Sequence, residues 1–582
     1  MSESTNGAGA ETLAELAKRR GFFFPANEAY GGVSGFYTYG PQGAALKRNI
    51  EASWRERFVT REGHMEISSP TITPEAVFDA SGHLAGFDDM IIECPNCETN
   101  HRADHLVEEA TVIEDAESLG TKHIEDLIAE YGITCPVCGT VLVGEPVEAF
   151  NLMFETNIGP GTAAPGYLRP ETAQGMFVDF PRFAEYARNQ LPFGIAQIGT
   201  GYRNEISPRR SIIRVREFTM AELEHFIDPE TDEPPIDRVA DVSLRLYPAS
   251  EQTADDGEYV TATVTEAITE NIVESEWVAY YLGVAKGWYE RLGIDMSRFR
   301  YRQHLPDELS HYASDCWDAE AELDGNWIEI TGFSDRGTYD LSKHDEHSDE
   351  DFTVFKPYDE PETIERPTVD PDMSVLGPEF GEQAGDIADE LEVLAGRDPS
   401  AFDGEEVEVE IGDETYTIPT EATGFGIREE TITGEHITPR VIEPSFGVGR
   451  VLYTVLDHTY REDEIEGESR SYLSLPAELA PTFVGVFPLM DKDGLGERAR
   501  EVAADLREAG FSVTYDDSGN IGRRYRRQDE IGTPYCVTVD YESLEDETVT
   551  LRERDSTEQT RIALSDLSER LGTLRAGEPA ET

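Results

Sequence analysis

The chain has 582 residues and a mass of 64.8 kDa, enough for several domains with substantial cores. Its formal charge of −70, from 118 acidic and 48 basic residues, is typical of disordered chains, but 38% hydrophobic and 9% aromatic residues supply the apolar surface of a globular protein. Such a surface repels itself in dilute buffer, and at molar salt the Debye length falls to about 3 Å, so we expect a protein of a salt-adapted cytoplasm.

The N-terminal segment lacks the apolar core of an export signal. No stretch approaches the roughly 20 apolar residues that a membrane span requires. We therefore expect a soluble, cytoplasmic protein with no membrane partner.

The first regular pattern predicts an amphipathic helix from Gly43 to about Arg61, because apolar residues recur there at every fourth position. The stripe consists of Leu46, Ile50, Trp54 and Phe58. The segment from His64 to Ser69 then reads as extended and ends at Pro70.

Two CxxC pairs follow, at Cys94, Cys97, Cys135 and Cys138. Four thiolates in paired knuckles complete a tetrahedral shell, so this spacing predicts a structural Zn²⁺ site. A redox dithiol is the competing interpretation. Between the pairs we expect an acidic helical stretch from Val107 to Tyr131.

A segment rich in charge begins with Arg203, Asn204 and Glu205 and consists of two strand-like runs joined by a turn at Ser207 and Pro208. If the second run is extended, alternate residues share one face. They are Arg214, Arg216, Phe218, Met220, Glu222 and Glu224. This face offers cations for phosphates, a ring for a base and carboxylates for an ammonium, although alternating charges also occur on solvated sheet faces.

A third segment, from Glu443 to Tyr453, has an apolar entry, two glycines and an arginine that opens a helical run. The glycines permit close backbone approach, and Arg450 stands where it can meet an anion. Before this segment, residues 357–439 read as an acidic insertion, partly linker and partly a small subdomain.

From about Pro481 the pattern changes to strands that alternate with helices, which predicts a compact α/β domain. The predicted strands are Thr482 to Leu489, Phe511 to Tyr515 and Tyr535 to Val539. The densest basic cluster of the chain also lies here: Arg523, Arg524, Arg526 and Arg527. It is either a solvated helix face or a patch for RNA phosphates.

The two charged segments together resemble motifs 2 and 3 of the class II aminoacyl-tRNA synthetases. Arg169 to Gly175 (RPETAQG), His101 to Leu106 and Glu443 to Arg450 (EPSFGVGR) narrow the resemblance to the dimeric glycyl-tRNA synthetase family. The helix, extended segment and proline before residue 71 resemble motif 1. The match runs from about Gly21 into the C-terminal region.

The resemblance implies an α+β fold: a class II antiparallel-sheet catalytic domain with a zinc-knuckle insertion, an acidic insertion and a C-terminal α/β anticodon-binding domain. We expect catalytic segments at 1–93 with motif 1, 141–356 with motif 2 and 440–480 with motif 3. The zinc insertion would span 94–140, the acidic insertion 357–439 and the anticodon-binding domain 481–582.

Roles for single residues also follow from the resemblance. Arg203 would contact the α-phosphate of ATP and the amino-acid carboxylate, Arg450 the terminal phosphates, and Glu329 the ATP with its Mg²⁺. The implied ATP site is Arg203, Asn204, Glu205, Ile213, Arg214, Val215, Arg216, Glu217, Phe218, Glu329, Ile330, Gly447, Val448, Gly449 and Arg450. The implied glycine site is Arg102, Glu171, Phe218, Glu222, Glu443, Ser445 and Gly447. The arginine cluster at 523–527 would contact tRNA.

The expected activity is the joining of glycine to tRNA(Gly) through a glycyl-adenylate, by a homodimer that uses ATP, Mg²⁺ and a structural Zn²⁺. Larger amino acids can be excluded sterically and nothing smaller competes, so no editing domain is needed. Two alternatives stay open: a non-catalytic, synthetase-like tRNA-binding protein, and a class IIa synthetase for another amino acid. Retention of Arg203, Glu205, Glu329 and Arg450 argues against the first, and the acidic pocket argues against the second.

Overall fold

The structure is a computed structural model that describes residues 8–577, apart from 112, 114–115, 117–118, 161–163, 209–210, 255–256, 307, 309–313, 413 and 466. The chain divides into two compact units, Met1–Phe352 with Pro439–Thr582, and Thr353–Thr438. Within the described ranges, no helix has the length and apolar character needed to cross a membrane.

The catalytic part is built on a sheet that has nine strands within the described residues. All neighbours are antiparallel except at Met65–Glu66 with Phe193–Tyr202 and at Ser243–Tyr247 with Phe299–Gln303. The strand order is Val260–Thr263, Ser243–Tyr247, Phe299–Gln303, Asp315–Leu323, Asn326–Gly337, Arg440–Gly447, Glu217–Ile227, Phe193–Tyr202 and Met65–Glu66. The predicted class II antiparallel-sheet fold is confirmed.

Alternation along each strand separates a polar face from an apolar one. On the strand Arg440–Gly447, Glu443 and Ser445 share the polar face, whereas Phe446 packs into the core, with its ring centroid 4.7 Å from Phe58 and 5.4 Å from Trp288. The helix Glu276–Arg291 covers the apolar face with mostly buried residues. The polar face is therefore the one available for a site.

The predicted amphipathic helix is confirmed as Pro41–Trp54, continued by a wider turn at Arg55–Thr60. Leu46, Ile50, Trp54 and Phe58 are all buried. Beyond the strand Met65–Glu66, the guanidinium of Arg169 donates to the Ser69 carbonyl at 3.1 Å, which ties the start of the RPETAQG segment to the motif 1 proline region.

The cysteine module has a three-stranded sheet in its described part, with strands Asp88–Glu93, Asn100–Arg102 and Val147–Asn151. The single helical stretch expected from Val107 to Tyr131 is wrong. The described residues form two helices, Ala103–Ala110 and Thr121–Tyr131, because Thr111 and Gly120 adopt extended backbone; residues 112, 114–115 and 117–118 lie outside the described ranges.

Other elements complete the catalytic part. Its further helices are Ala8–Arg20, Glu75–Ala80, His83–Gly86, Gln174–Val178, Phe180–Tyr186, Ala249–Gln252, Val264–Thr269, Tyr339–His347 and Val448–Thr459. Its further strands are Phe23–Pro25, Tyr37–Tyr39, Ile72–Pro74, Phe154–Ile158, Ala164–Leu168, Tyr460–Ile465 and Glu468–Leu473. Short 3₁₀ turns lie at Glu28–Tyr30, Ile236–Arg238 and Met296–Arg298.

The C-terminal domain has five strands in its described part, in the order Val513–Tyr515, Val484–Pro488, Tyr535–Val539, Thr548–Glu553 and Gln559–Ala563. Its helices are Leu495–Glu508, Ile521–Glu530, Tyr541–Asp546 and Leu564–Arg575. The first three strands are parallel and the last two antiparallel. The predicted α/β character is confirmed.

The unit Thr353–Thr438 has its own core, which includes Ile387, Leu391 and Phe402. A two-stranded antiparallel sheet pairs Val354–Thr368 with Gly426–Ile437, so residues that the sequence assigned partly to a linker lie along a strand. The segment is therefore a folded unit rather than a linker. Its other elements are Met373–Phe380, Gly381–Gln383, Ala384–Arg397, Pro399–Asp403, Glu406–Ile411, Glu414–Pro419 and Thr420–Thr423.

Candidate active site

A cavity lies on the polar face of the sheet, beside the hairpin formed by Phe193–Tyr202 and Glu217–Ile227. Segments predicted from distant parts of the sequence converge on it. Its lining is Arg203, Glu205, Ile212, Ile213, Arg214, Val215, Phe218, Thr219, Met220, Glu329, Ser445, Gly447, Gly449 and Arg450. Most of the predicted ATP-binding residues are thus brought together.

Five predicted ATP residues do not line this cavity: Asn204, Arg216, Glu217, Ile330 and Val448. Ile330 and Val448 are buried in the core. Arg216 donates to the carbonyls of Glu205 and Ser34, both at 2.7 Å, and so braces the loop. The strand begins only at Glu217, so the expected alternation does not extend back to Arg214 and Arg216.

Arg203 lies directly after the strand Phe193–Tyr202, at the mouth of the cavity. Its guanidinium stacks between two rings, 5.3 Å from the centroid of Phe87 and 5.4 Å from that of Phe218. A Cβ at Gly201 would come within 2.8 Å of the Phe218 ring, so only glycine fits there. These contacts hold a cation beside an aromatic surface, an arrangement suited to a nucleotide.

Arg450 stands near the start of the helix Val448–Thr459 and forms an ion pair with Glu329 at 2.9 Å. It also donates to the Glu329 carbonyl at 3.0 Å. The charge of Arg450 holds the pKa of Glu329 below its usual range. The pair places one cation and one ionised carboxylate at the same end of the cavity, where phosphates and a divalent ion would require them.

Arg102 is buried, and its guanidinium forms an ion pair with Asp89 at 3.0 Å and another with Asp104. Asp89 in turn lies 3.9 Å from Arg214, which donates to Glu205 at 2.6 Å. Arg102 is therefore connected to the cavity through neighbouring ion pairs. Its direct contact with glycine stays a prediction.

Glu222 does not line the cavity itself, but it is hydrogen-bonded to Ser445, which does. Its carboxylate accepts hydrogen bonds from the Thr172 amide at 2.6 Å, from the Thr172 hydroxyl and from the Ser445 hydroxyl at 2.8 Å. Burial raises the pKa of Glu222 and the charge of Glu171 raises it further, against the effect of these donors. The carboxylate is thereby oriented before any substrate enters.

Glu443 accepts a hydrogen bond from Arg336 at 3.0 Å. Arg336 also forms two bonds to Asp340, at 2.7 and 2.8 Å, and lies 5.2 Å from the centroid of Phe177. Burial, together with the charges of Glu222 and Glu171, raises the pKa of Glu443 to about 7 in spite of Arg336. This carboxyl therefore titrates near neutrality.

Glu171 completes the acidic group, since its charge acts on both Glu222 and Glu443. It lies 3.6 Å from a ring nitrogen of His83 and accepts a hydrogen bond from Gln174 at 3.1 Å. Burial by itself would raise the pKa of Glu171, but His83, Arg336 and Gln174 together hold it below its usual range. The predicted glycine-site acids are thus brought together: Arg336 acts on Glu171 and Glu443, and the charge of Glu222 acts on Glu443.

Sequence reasoning missed Arg336, Asp340, Thr172 and His83. Arg336 follows the strand-like run after Asn326, and Thr172 lies inside RPETAQG, so both are adjacent to segments that the sequence singled out. Nothing in the spacing joins Arg336 to Glu443, because 107 residues separate them. Only the pairing of strands Asn326–Gly337 and Arg440–Gly447 brings them into contact.

A second polar group consists of His304, which follows the strand Phe299–Gln303, and of Cys316 and Asp318 on the neighbouring strand, with ligand atoms within 4.8 Å of one another. Burial lowers the pKa of His304, but the Asp318 carboxylate at 2.9 Å raises it to about 11 overall. The Cys316 thiol lies 3.2 Å from the Ser334 hydroxyl. These groups therefore satisfy one another as an ion pair and a hydrogen bond.

The four cysteines of the CxxC pairs converge as predicted, with all sulfur atoms within 4.8 Å of one another. The distances are 3.5 Å from Cys94 to Cys138 and 3.7 Å from Cys97 to Cys135. Both loops close in the same way, since the amides of Glu98 and Gly139 donate to the carbonyls of Cys94 and Cys135. A tetrahedral ion with bonds of about 2.3 Å to sulfur requires separations near 3.8 Å, so the donor set fits Zn²⁺.

The arginine cluster of the C-terminal domain is not one surface. Arg524 is 2% exposed and donates to the carbonyls of Pro488, Asp517 and Gly519, so the expectation that it contacts RNA is wrong. Arg526 and Arg527 pair with Glu468 and Asp516, and Arg523 is exposed. The cations that could reach a ligand are thus Arg523, Arg526 and Arg527.

Two family models match the chain. The tRNA synthetase class II core domain (G, H, P, S and T) matches residues 165–459, and the anticodon binding domain matches residues 484–574. Among solved structures, prolyl-tRNA synthetase from Cryptosporidium parvum in complex with L-proline and AMP has a TM-score of 0.51 at 12% identity, with 99% of this chain and 80% of that chain covered. That likeness concerns the fold alone.

Curated relatives are much more similar. The chain is 49% identical over 554 residues to the glycine–tRNA ligase of Methanothrix thermoacetophila, which covers 95% of this chain and 94% of the relative. It is 46% identical over 574 residues to that of Methanothermobacter thermautotrophicus, with 97% and 99% covered. Identity at this level over nearly the whole length, together with the class II core, establishes that the chain belongs to the glycine–tRNA ligase family of class II aminoacyl-tRNA synthetases.

Proposed function

We propose that this chain activates glycine with ATP and transfers the glycyl group to the 3′ end of tRNA(Gly). The observation that carries the proposal is the acidic group of Glu171, Glu222 and Glu443, of which Glu171 and Glu443 interact with Arg336, next to a cavity lined by Arg203 and Arg450. One end suits an ammonium and the other suits phosphates. Ser445 hydrogen-bonds to Glu222 and also lines the cavity, so the two ends are continuous.

In the first step, a carboxylate oxygen of glycine attacks the α-phosphorus of ATP and pyrophosphate leaves. The protein needs no nucleophile of its own, because fixed cations stabilise the charge on the phosphates. Arg203 contacts the α-phosphate and the glycine carboxylate, and Arg450 the leaving phosphates. Glu329 would help to hold Mg²⁺, which supplies further positive charge to the phosphates when bound.

Selection of glycine rests on crowding at the Cα. Glu222 and Glu443 accept hydrogen bonds from the ammonium, and Glu171 and Ser445 would crowd the Cα and exclude a larger side chain. Charge-assisted bonds of this kind are worth about 1.5 to 3 kcal/mol each. The pocket thus combines ionic recognition with steric exclusion.

ATP–pyrophosphate exchange measured across the amino acids tests this function. We expect exchange with glycine alone, and its loss in Arg203→Ala, because that change removes the cation nearest the attacked phosphorus and costs several kcal/mol at the transition state. Exchange with another amino acid would favour a class IIa synthetase of different specificity. Binding of tRNA without any exchange would favour a non-catalytic protein.

Three further properties belong to the same proposal. Cys94, Cys97, Cys135 and Cys138 hold one Zn²⁺, and its role is structural because four thiolates leave no position open for a substrate.

The enzyme acts as a homodimer through its motif 1 elements, which light scattering coupled to gel filtration would test. Arg523, Arg526 and Arg527 contact tRNA; their joint replacement by glutamine should raise the tRNA KM and leave pyrophosphate exchange unchanged.

A further inference from the structure

Glu224 lies on the strand Glu217–Ile227, two residues after Glu222, so both side chains project from the same face. The two carboxyls differ in their hydrogen-bond partners. Glu222 accepts three hydrogen bonds, whereas Glu224 is 0% exposed and neither of its oxygens has a hydrogen-bond partner among the described residues. The strand therefore carries one oriented carboxylate and one unpartnered acid.

The surroundings of Glu224 are acidic. Pairing of Glu222 with Ser445 and of His225 with Ile442 places Glu224 directly opposite Glu443, where Cβ atoms lie about 4.5 to 5.5 Å apart. On its other side, the neighbouring strand presents Ile195. The charged groups that act on Glu224 are Glu443, Glu222, Asp340 and Arg336. Arg336, the cation of this set, already donates to Glu443 and Asp340.

A fully buried acid without a partner destabilises a fold, because it has lost its hydration and gained no hydrogen bond. An apolar side chain of similar size would avoid that loss. The position of Glu224 beside the acidic group indicates what the acid could do. Glu443 accepts a hydrogen bond from Arg336 at one oxygen and from no other described residue, so it can accept another.

We propose that Glu224 is a positioning residue of the glycine pocket, a neutral carboxylic acid whose hydroxyl group donates a hydrogen bond to Glu443 and orients that carboxylate toward the substrate ammonium. This inference rests on the proposed function, because it assumes that Glu443 binds the amino group of glycine. Burial and the nearby charge of Glu443 raise the pKa of Glu224 well above its usual range, in agreement with a neutral acid.

Two variants separate this role from simple packing. Glu224→Met keeps the length of the side chain and removes the donor, so we expect the glycine KM to rise about tenfold while the ATP KM stays within about twofold. Its thermal midpoint should stay close to that of the wild type, because the buried acid and its one hydrogen bond are lost together. Glu224→Gln restores a donor at the same place and should recover most of the glycine affinity.

The pH profile supplies a second readout. With rising pH, ionisation of Glu224 would abolish its donor, so kcat/KM for glycine should fall more steeply in the wild type than in Glu224→Gln, whose amide does not titrate. Glu222→Gln is the matched comparison, since it removes a charged ligand two residues away on the same face.

Three results would overturn the inference. Glu224→Gln could raise the glycine KM as much as Glu222→Gln does, which would make Glu224 an ionised ligand. Glu224→Met could leave the glycine KM unchanged, which would make it a filler. Both variants could lose stability and all kinetic parameters together, which would make it structural. Failure of the proposed function would appear differently, as no glycine-dependent exchange in the wild-type protein, and would overturn this inference with it.

Discussion

At the scale of single residues, Glu222 differs from the pair of Arg450 and Glu329 in the contacts that hold it before a substrate binds. Its carboxylate is already fixed by Thr172 and Ser445, so it needs no reorganisation to accept an ammonium. Arg450 and Glu329 instead hold each other at 2.9 Å. Under the proposed function they would exchange partners when phosphates and a cation bind, so the end proposed for glycine is pre-oriented and the end proposed for phosphates is self-paired.

Replacement Glu222→Gln should raise the glycine KM roughly tenfold or more, because it keeps the shape and removes the charge that meets the ammonium. The ATP KM should change little. Steady-state exchange kinetics at varied glycine and ATP would measure both. Glu290→Gln is the control, since Glu290 is exposed on the helix Glu276–Arg291, which covers the opposite face of the sheet. An effect confined to the ATP KM would reverse the assigned direction of the site.

The raised pKa of Glu443 gives a pH dependence with a definite sign. The carboxyl, with a pKa of about 7 in the folded protein, is protonated below that pH and then no longer accepts an ammonium as an anion. The glycine KM should therefore rise as pH falls from about 8 to 6, with the ATP KM nearly constant. Burial, Glu222 and Glu171 raise this pKa and Arg336 lowers it, so Arg336→Met should shift the transition to higher pH. A flat profile would contradict this assignment.

Among the elements, the cysteine module brings four sulfur atoms together at a candidate metal site. Its two knuckles are short loops whose sulfurs meet across the module, and metal binding to such sites is coupled to local folding. We expect one Zn²⁺ per chain by elemental analysis. Cys97→Ser should lose the metal and lower the thermal stability, whereas Cys536→Ala, a buried thiol of the C-terminal domain, should keep the metal. Metal-free protein of normal stability and activity would refute the ligand set.

At the same scale, the unit Thr353–Thr438 shows why a segment predicted to be partly linker is folded. The segment 357–439 was predicted to be partly linker, yet Pro357 and Pro367 lie along a strand whose register shifts between Pro357 and Glu362. A two-stranded sheet leaves one side of each strand unpaired, so proline need not break a ladder hydrogen bond.

For the whole molecule, the dominant physical quantity is the net charge of −70. Self-repulsion of the folded state weakens as salt screens it, with a Debye length of about 10 Å at 0.1 M and 3 Å at 1 M. The midpoint of thermal unfolding should therefore rise between about 0.1 and 2 M KCl. A sucrose series of equal osmolality controls for general solute effects. A midpoint that is constant or falls with KCl would contradict salt adaptation.

The spacing of residues in the sequence was sufficient to predict part of this structure. Four features depend on neighbours within a few residues, which periodicity or a motif reports directly. They are the amphipathic helix, the strand Tyr535–Val539, each of the two knuckles, and the glycines that precede Arg450. The class II sheet and the family followed from motifs of this kind.

Tertiary structure decided what depends on residues far apart in the chain. Arg524 and Arg523 are adjacent and chemically identical, yet one is buried against three carbonyls and the other is exposed. Glu222 and Glu224 are equivalent by alternation, but Thr172 and Ser445 reach only the first. The reason is that spacing determines the face on which a side chain lies, whereas its partners and its ionisation depend on strands and loops that only folding brings beside it.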